Sequence, residues 1–322
     1  MTEDRSLLER FRAFEEARGV KLEELAQAVR AKRPDVQGLA YVLDAQGEVR
    51  ILVFTDGSSP LDGLLPIHQL PLFDGAEPTE PLPFDEVLTG PVRACADRTK
   101  FYTRPFRGGV SGGGAPDGQT GTIGARVTRM EQGVEVEYAL SCAHVLCEAA
   151  NPPPGGDVVQ PASSDDPSEK GNEIGTFAEA APWQAATNDA DAAIAKLYKS
   201  TMKKGIMGIG AVPNWRLRAD VAPGLAVRKS GRTSPVVRSG TVVSVSGVVW
   251  WDMPGGDAAF RNVITTTRIA DGGDSGSVVT ATADKSAIGL ACASSHVHTY
   301  VVSMEAIRDT LGVVISDRVW PN

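Results

Sequence analysis

The sequence predicts a mainly β body preceded by a small α+β unit, on three observations. Turn-formers are abundant, with 34 glycines and 21 prolines in 322 residues, as in a chain that reverses often. From residue 121 onward, short apolar or alternating runs recur between turn signals, which is how strands read. Helical periodicity is confined to residues 4–33 and to a short stretch at 304–311.

Within 4–33, Leu7, Leu8, Phe11 and Phe14 form one apolar stripe, and Leu22, Leu25, Ala28 and Val29 form a second. Gly19 separates the two helices and Pro34 closes the second. An amphipathic pair of this kind either packs on a body or takes a partner. Runs at 39–43 and 49–54 flank Asp44-Ala45-Gln46-Gly47-Glu48, a hairpin turn. Residues 58–85, rich in Pro, Gly, Ser and Asp, read as an irregular loop that carries His68, and 87–92 as a short strand. Residues 1–95 are thus expected to form a small α+β N-terminal domain, regulatory or interacting, without catalytic chemistry. The glycine run within 107–120 reads as part of a linker over 96–120. It lacks the Gly-Lys-Ser/Thr ending and the preceding strand of a phosphate loop. Strands at 121–129 and 134–140 form a hairpin around Gln132-Gly133, with short strands at 158–160 and 173–177 and another at 191–197. Further strands are expected at 225–229, 239–245, 263–268, 277–280, 287–293 and 299–304, then a helix over 304–311.

The chemistry concentrates at Asp271-Gly272-Gly273-Asp274-Ser275-Gly276-Ser277. Glycines on both sides of Ser275 allow a tight, exposed turn with unusual dihedrals. Such a turn holds Ser275 Oγ forward and aims the N–H groups of Gly273 and Ser275 at one point, an oxyanion hole beside a nucleophile. A plain hairpin loop uses the same residue types. A serine hydroxyl needs a base, and the base needs an orienting group. Of the four histidines, His68, His144, His296 and His298, His144 ends the apolar run 138–146 in small residues, which suits a histidine at a strand end. Asp191 leads a run of small apolar residues. Asp189 competes with it, since two residues along a strand is the same face.

Ser141-Cys142-Ala143-His144, then Asp191 with Lys196-Leu197 after it, then Gly273-Asp274-Ser275-Gly276, in that order, resemble the trypsin/chymotrypsin-like serine peptidases. Val227-Arg228-Lys229-Ser230-Gly231-Arg232-Thr233-Ser234 resembles the Arg-Ser-Gly-Arg-Thr-Thr stretch of the bacterial branch, the streptogrisin and α-lytic type. More loosely, the chain resembles a bacterial trypsin-like group without export signals that is related to the plant narrow-leaf protein. The resemblance spans roughly residues 108–316. It implies two six-stranded antiparallel β-barrels with the catalytic cleft between them. The first, over 121–200, would carry His144 and Asp191. The second, over 201–322, would carry Ser275 and a C-terminal helix. It also implies a triad of Ser275, His144 and Asp191, with the alignment on Lys196-Leu197 favouring Asp191 over Asp189.

Asp274, if buried beside the nucleophile, needs a cation. The aligned position is Lys229, with Arg228 or Arg232 as substitutes, and the pair would fix the oxyanion loop without zymogen cleavage. For the substrate pocket, Ile269 stands six residues before Ser275, where basic selectivity would want Asp. Ala291, Cys292 and Ala293 would form the other wall. His296 and His298 would line the pocket and read an acidic side chain, lie on the surface, or hold a metal with Cys142 and Cys147. No metal and no cofactor is expected. Ser277 stands where secreted relatives carry glycine.

The net charge of −8 argues against nucleic acid as a partner and against a polybasic membrane anchor. No secretory h-region and no membrane-length apolar run is seen in the sequence. The four cysteines, Cys95, Cys142, Cys147 and Cys292, read as free buried thiols of a reducing compartment, although Cys142 and Cys147 are near enough in sequence to pair. The expectation is a cytoplasmic serine endopeptidase acting on a protein or peptide substrate, regulated by its N-terminal domain or by a partner there. Self-processing within the glycine linker or the 58–85 loop is a variant of this. The alternative is a latent or non-catalytic peptide-binding module.

Overall fold

The computed structural model describes residues 7–57, 82–89, 93–94, 104–114, 119–147, 153–165, 172–184, 187–234 and 237–315. His68, Cys95, most of the 58–85 loop and the boundary expected at 95 lie outside them. The chain opens with α1 (Leu7–Arg18) and α2 (Leu22–Lys32), then β1 (Val36–Leu43), β2 (Val49–Thr55), β3 (Phe84–Leu88) and β4 (Arg93–Ala94). The next stretch holds β5 (Phe106–Gly108), β6 (Val110–Gly114), β7 (Gly121–Ile123), β8 (Ala125–Glu131), β9 (Val134–Ser141), α3 (Ala143–Leu146), β10 (Asp157–Val159), β11 (Glu173–Ala180), β12 (Thr187–Asn188) and β13 (Ala193–Leu197). The last holds β14 (Met202–Ile206), β15 (Ala226–Lys229), β16 (Arg238–Ser244), β17 (Gly247–Met253), β18 (Gly256–Phe260), β19 (Ile264–Thr267), β20 (Val278–Ala281), β21 (Ala287–Ser294), β22 (His298–Ser303) and α4 (Met304–Leu311).

The fold is mainly β and built on two strand systems. One is a curled seven-stranded sheet ordered β7-β6-β10-β11-β13-β9-β8. The other is a barrel, β20-β15-β16-β19-β22-β21, closed by pairing of β20 with β21 and extended by β4 on β21. Local sequence explains the ends of the helices. Gly19 takes φ +64° after α1, a conformation cheap for glycine. On α4, Ser303 Oγ accepts from Ala306 N–H at 3.2 Å and Gly312 closes the helix at φ +67°.

The glycine-rich stretch expected as a linker is instead strand. Val110–Gly114 is buried throughout and sits between β7 and β10. A Cβ on Gly112 would lie 2.3 Å from Ile123 Cγ1, and one on Gly108 would lie 2.0 Å from Gly124 O. These glycines serve close backbone approach rather than freedom of motion.

The N-terminal hairpin has no sheet of its own. It joins one of order β12-β18-β17-β1-β2-β3, in which Leu39 pairs with Val248. The helices share their core with the closed barrel. Phe11, Leu25, Val29, Val36 and Leu39 cluster with Val242, Val245, Val248, Ile264 and Ile269. Each fully buried Leu or Val here contributes about 1.5–3 kcal/mol. On the outer side of α2, Arg30 lies 4.7 Å over the Trp250 ring and bonds Asp257 at 2.6 Å, which ties α2 to the β17–β18 hairpin. Among the described residues, no helix is long and apolar enough to cross a membrane.

Candidate active site

His144 stands on the single helical turn that follows β9. Asp191, on the irregular stretch before β13, caps that turn from afar. Its Oδ1 accepts from the N–H groups of Ala143 at 2.8 Å and His144 at 3.3 Å. Its Oδ2 accepts from His144 Nδ1 at 2.6 Å and from Trp251 Nε1 at 3.2 Å. A fully buried carboxylate is thereby satisfied on both oxygens. Because Asp191 Oδ2 only accepts, Nδ1 carries the hydrogen, and in the neutral ring Nε2 is left as the basic nitrogen. Nε2 is buried and has no hydrogen-bond partner among the described residues.

Asp189, the competing carboxylate, is exposed and holds Arg261 Nε at 2.6 Å and Nη2 at 3.0 Å. Residues 189–192 are not strand, so the two-residue periodicity that would place both aspartates on one face does not apply.

Ser275 sits in a loop whose shape depends on glycine. Gly273 and Gly276 take φ of +87° and +91°. A Cβ on Gly273 would lie 2.5 Å from both Arg232 Nη1 and Thr233 Oγ1, and one on Gly276 would lie 2.3 Å from Ser141 Oγ and Thr122 O. Asp274 N–H donates to Asp271 O at 3.0 Å, closing the turn. Thr233 Oγ1 donates to Gly272 O, and Thr122 Oγ1 to Gly273 O at 2.7 Å. With its carbonyl held by Thr233, the trans peptide 272–273 projects the Gly273 N–H to the opposite side. Ser275 Oγ makes no hydrogen bond to His144 Nε2. It donates to Cys292 O at 2.9 Å.

Asp274 is fully buried and its side chain is ion-paired with the equally buried Lys229 Nζ. Its Oδ1 also accepts from Thr233 N–H at 3.1 Å and Ser234 N–H at 3.0 Å. Its Oδ2 accepts from Ser234 Oγ at 2.8 Å and Asp271 N–H at 2.9 Å. Gly231 makes room for it, since a Cβ there would lie 2.5 Å from Asp274 Oδ1. Arg232 has a different role from Lys229. It pairs with Asp165, which also accepts from Ser111 Oγ at 2.5 Å.

Cys142, Cys147 and Cys292 are free and buried. Cys147 Sγ donates to Ala143 O at 3.1 Å, whereas the Cys142 and Cys292 thiols meet at 3.3 Å between the two halves. Burial raises all three thiols, Cys147 to about 12. Ligand atoms of Cys142, His144 and Asp191 lie within 4.8 Å of one another. Of these atoms, His144 Nδ1 and Asp191 Oδ2 are already bonded to each other at 2.6 Å.

The expected pocket residues Ile269, Ala291, Cys292 and Ala293 are buried in the barrel wall. His296 is exposed in the turn before β22, and His298 is half-buried at its start. The His298 ring lies 5.4 Å from Phe54 and 6.5 Å from Tyr300, and burial lowers its pKa. Trp251 was not singled out from the sequence. The signal is present as an apolar run, Val248-Val249-Trp250-Trp251, ahead of Pro254-Gly255-Gly256, which reads as a hairpin. The Trp251 indole stacks on Phe260 at 4.0 Å with its plane tilted by 6°.

No protein-family model and no curated protein matches the chain. Solved structures similar to it are bacterial serine proteases. Protease A of Thermobifida fusca is 18% identical over 65% of this chain and 97% of its own, with a TM-score of 0.46. Nocardiopsis protease is 16% identical over 65% and 98%, with a TM-score of 0.46. A chymotrypsin of Cellulomonas bogoriensis is 18% identical over 66% and 98%, with a TM-score of 0.45.

Proposed function

We propose that the chain is a serine endopeptidase working through Ser275, His144 and Asp191. The observation that carries this is the buried Asp191–His144 pair, bonded at 2.6 Å, with Nε2 left open and unpartnered among the described residues. Ser275 Oγ rotates from Cys292 O to Nε2 and attacks a peptide carbonyl. His144 takes the hydroxyl proton and returns it to the leaving amine, and water then hydrolyses the acyl-enzyme by the same route. Asp191 holds the tautomer and stabilises the imidazolium. The N–H groups of Gly273 and Ser275 receive the oxyanion, each such donor lowering the barrier by about 3–4 kcal/mol. The rotation gives up one hydrogen bond, a cost of about 1 kcal/mol.

A fluorophosphonate probe tests this. Labelling of the parent, lost in Ser275→Ala and strongly slowed in His144→Ala, is expected. A folded parent that resists labelling, including after long incubation, refutes it. One observation favours a second reading, a latent or non-catalytic peptide binder, namely that Ser275 Oγ is engaged by Cys292 O rather than by His144.

A further inference from the structure

The helical layer leaves space against the body. Between α1–α2 and the first residues of β17 lies a cavity of about 270 Å³. A second, of about 350 Å³ beside α4, shares Arg218 and Asn262 with it. None of the proposed triad residues borders either one. Leu8, Phe11, Leu22 and Val248 give the first cavity an apolar wall, and its charges are unbalanced. Glu15 Oε1 is already engaged by Leu22 N–H at 2.9 Å and by Tyr41 OH at 3.2 Å. Glu23 pairs with Arg261 at 3.5 Å, and Arg261 is held again by Asp189 at 2.6 Å. The cations Arg12, Lys21 and Arg218 are left over.

Arg12 and Lys21, both exposed, have no side-chain partner among the described residues. Arg218, half-buried on the short turn Arg218–Asp220, donates one guanidinium hydrogen to a neutral acceptor, Val245 O, at 3.2 Å. Its backbone N–H, not its guanidinium, bonds Glu305, at 2.9 Å. Burial lowers the Arg218 pKa, the Glu305 carboxylate raises it, and the Arg12 guanidinium lowers it again, leaving it below its ordinary value. Arg33 and Arg261, which hold carboxylates, are shifted upward. Two guanidiniums that repel each other at the wall of a cavity are stabilised by an anion placed near both. The side-chain amide of Asn262, also without a partner among the described residues, adds hydrogen-bonding capacity at the same wall.

We propose that this cavity binds a phosphate group, free or carried on a small organic body, with the phosphate held by Arg218, Arg12 and Lys21 and any organic group laid on the apolar wall. Three unpaired cations need a ligand with more than one negative charge, and the guanidinium fork matches phosphate oxygens. The volume suits a compact ligand, at the lower end of small-molecule pockets. Arg12 stands on α1 and Arg218 precedes β15 of the barrel, so an anion held by both clamps the helical layer to the barrel. The site is independent of the peptidase reading and stands or falls on binding alone.

Phenyl phosphate, inorganic phosphate and benzoate are titrated separately into the full-length protein by calorimetry at fixed ionic strength. Phenyl phosphate should bind saturably at one site, at least about tenfold more tightly than benzoate, the factor that one charge-assisted hydrogen bond corresponds to. Arg218→Met and Arg12→Gln should each weaken it by a similar factor, whereas Arg126→Gln, on β8 and outside the cavity, should not. Tighter binding of phenyl phosphate than of inorganic phosphate identifies an ester as the ligand, and equal binding identifies free phosphate; both support the phosphate site. Amide exchange reads the clamp, since phenyl phosphate should slow exchange across α1 in the parent and not in Arg218→Met. Should Arg218→Met fail to fold, Arg12→Gln and Lys21→Gln decide, both at exposed positions. No saturable binding of either phosphate at millimolar concentration, benzoate binding as tightly as phenyl phosphate, or an affinity unchanged in these variants overturns the proposal.

Discussion

Lys229→Met isolates the support beneath the serine loop. Lys229 and Asp274 are each fully buried, so the substitution leaves a carboxylate in the core without its countercharge. Removing one partner of such a pair costs about 3–5 kcal/mol. Asp274 keeps its bonds to Thr233 N–H, Ser234 N–H, Ser234 Oγ and Asp271 N–H, so the lower end applies. At roughly 2 °C per kcal/mol for a chain of this size, the melting temperature should fall by about 6 °C. The fold should persist, because the barrel ladder flanking Lys229 runs through backbone, with Lys229 opposite Arg238 and Val279. The loop should not keep its shape, since Asp274 holds both the 271–274 turn and the backbone of Thr233, whose hydroxyl fixes Gly272 O. Calorimetry and the fluorophosphonate labelling rate are measured together, on Lys229→Met, Asp274→Asn and the double variant. The double variant should lose less than the sum of the singles, by about 1–3 kcal/mol, because removing both charges removes the burial penalty. A Lys229→Met melt within 2 °C of the parent, with labelling unchanged, would refute the argument.

Other substitutions probe the rest of the site. Trp251→Phe removes the indole N–H from Asp191 Oδ2 but keeps an aromatic ring against Phe260, so labelling should slow about tenfold while stability drops by only about 1 kcal/mol, which paired kinetics and melts will check. Gly276→Ala places a Cβ against Thr122 O at a φ of +91°, and should cost about 1–3 kcal/mol on each count, seen as a lowered denaturant midpoint. His298 is held neutral by burial, so its folded-state pKa lies below its unfolded value near 6.5. The unfolded chain then binds more protons, and stability should fall as pH drops from about 7.5 through 6.5. His298→Gln should flatten that part of the stability profile, and an unchanged profile would count against the burial argument. Finally, native protein should leave Cys142, Cys147 and Cys292 unreactive to a thiol reagent until it is unfolded, because all three are buried and raised.

What could be read from residues alone was whatever is local or fixed in order. The helices α1, α2 and α4 carry their apolar stripes, with Gly19 after the first and Pro34 after the second as stop signals. The hairpins β1–β2 and β8–β9 pair neighbours in sequence across short turns. Histidine, aspartate and serine motifs stand in a recognisable order, and the structure brings His144 and Asp191 into contact. Two kinds of information were not legible. Glycine in 108–114 has the same composition whether it loosens a linker or lets strands approach closely, and only the neighbouring Ile123 and Gly124 decide. Pairing between distant segments leaves no local trace. Nothing near Leu39 announces Val248, and nothing near Ala94 announces Ala293.

That long-range pairing changes what the N-terminal residues are for. β17 carries Trp251, the indole donor to Asp191, and its open edge is filled by β1 through Gly38 opposite Val249 and Leu39 opposite Val248. Gly38 is needed there, because a Cβ would lie 2.8 Å from Val248 O. On the far side, β18 pairs with β12 at Thr187–Asn188, three residues before Asp191, and Asn188 Nδ2 donates to Ala259 O at 2.9 Å. One sheet thus runs from the N-terminal hairpin, under the tryptophan, to the segment that delivers the carboxylate. Stripping β1 away would leave β17 with an unpaired edge and Val36, Leu39 and Val248 without their shared core. The N-terminal elements therefore meet the body at two places near the candidate site, β1 on the strand that carries Trp251 and β4 on the end of β21 that follows Cys292.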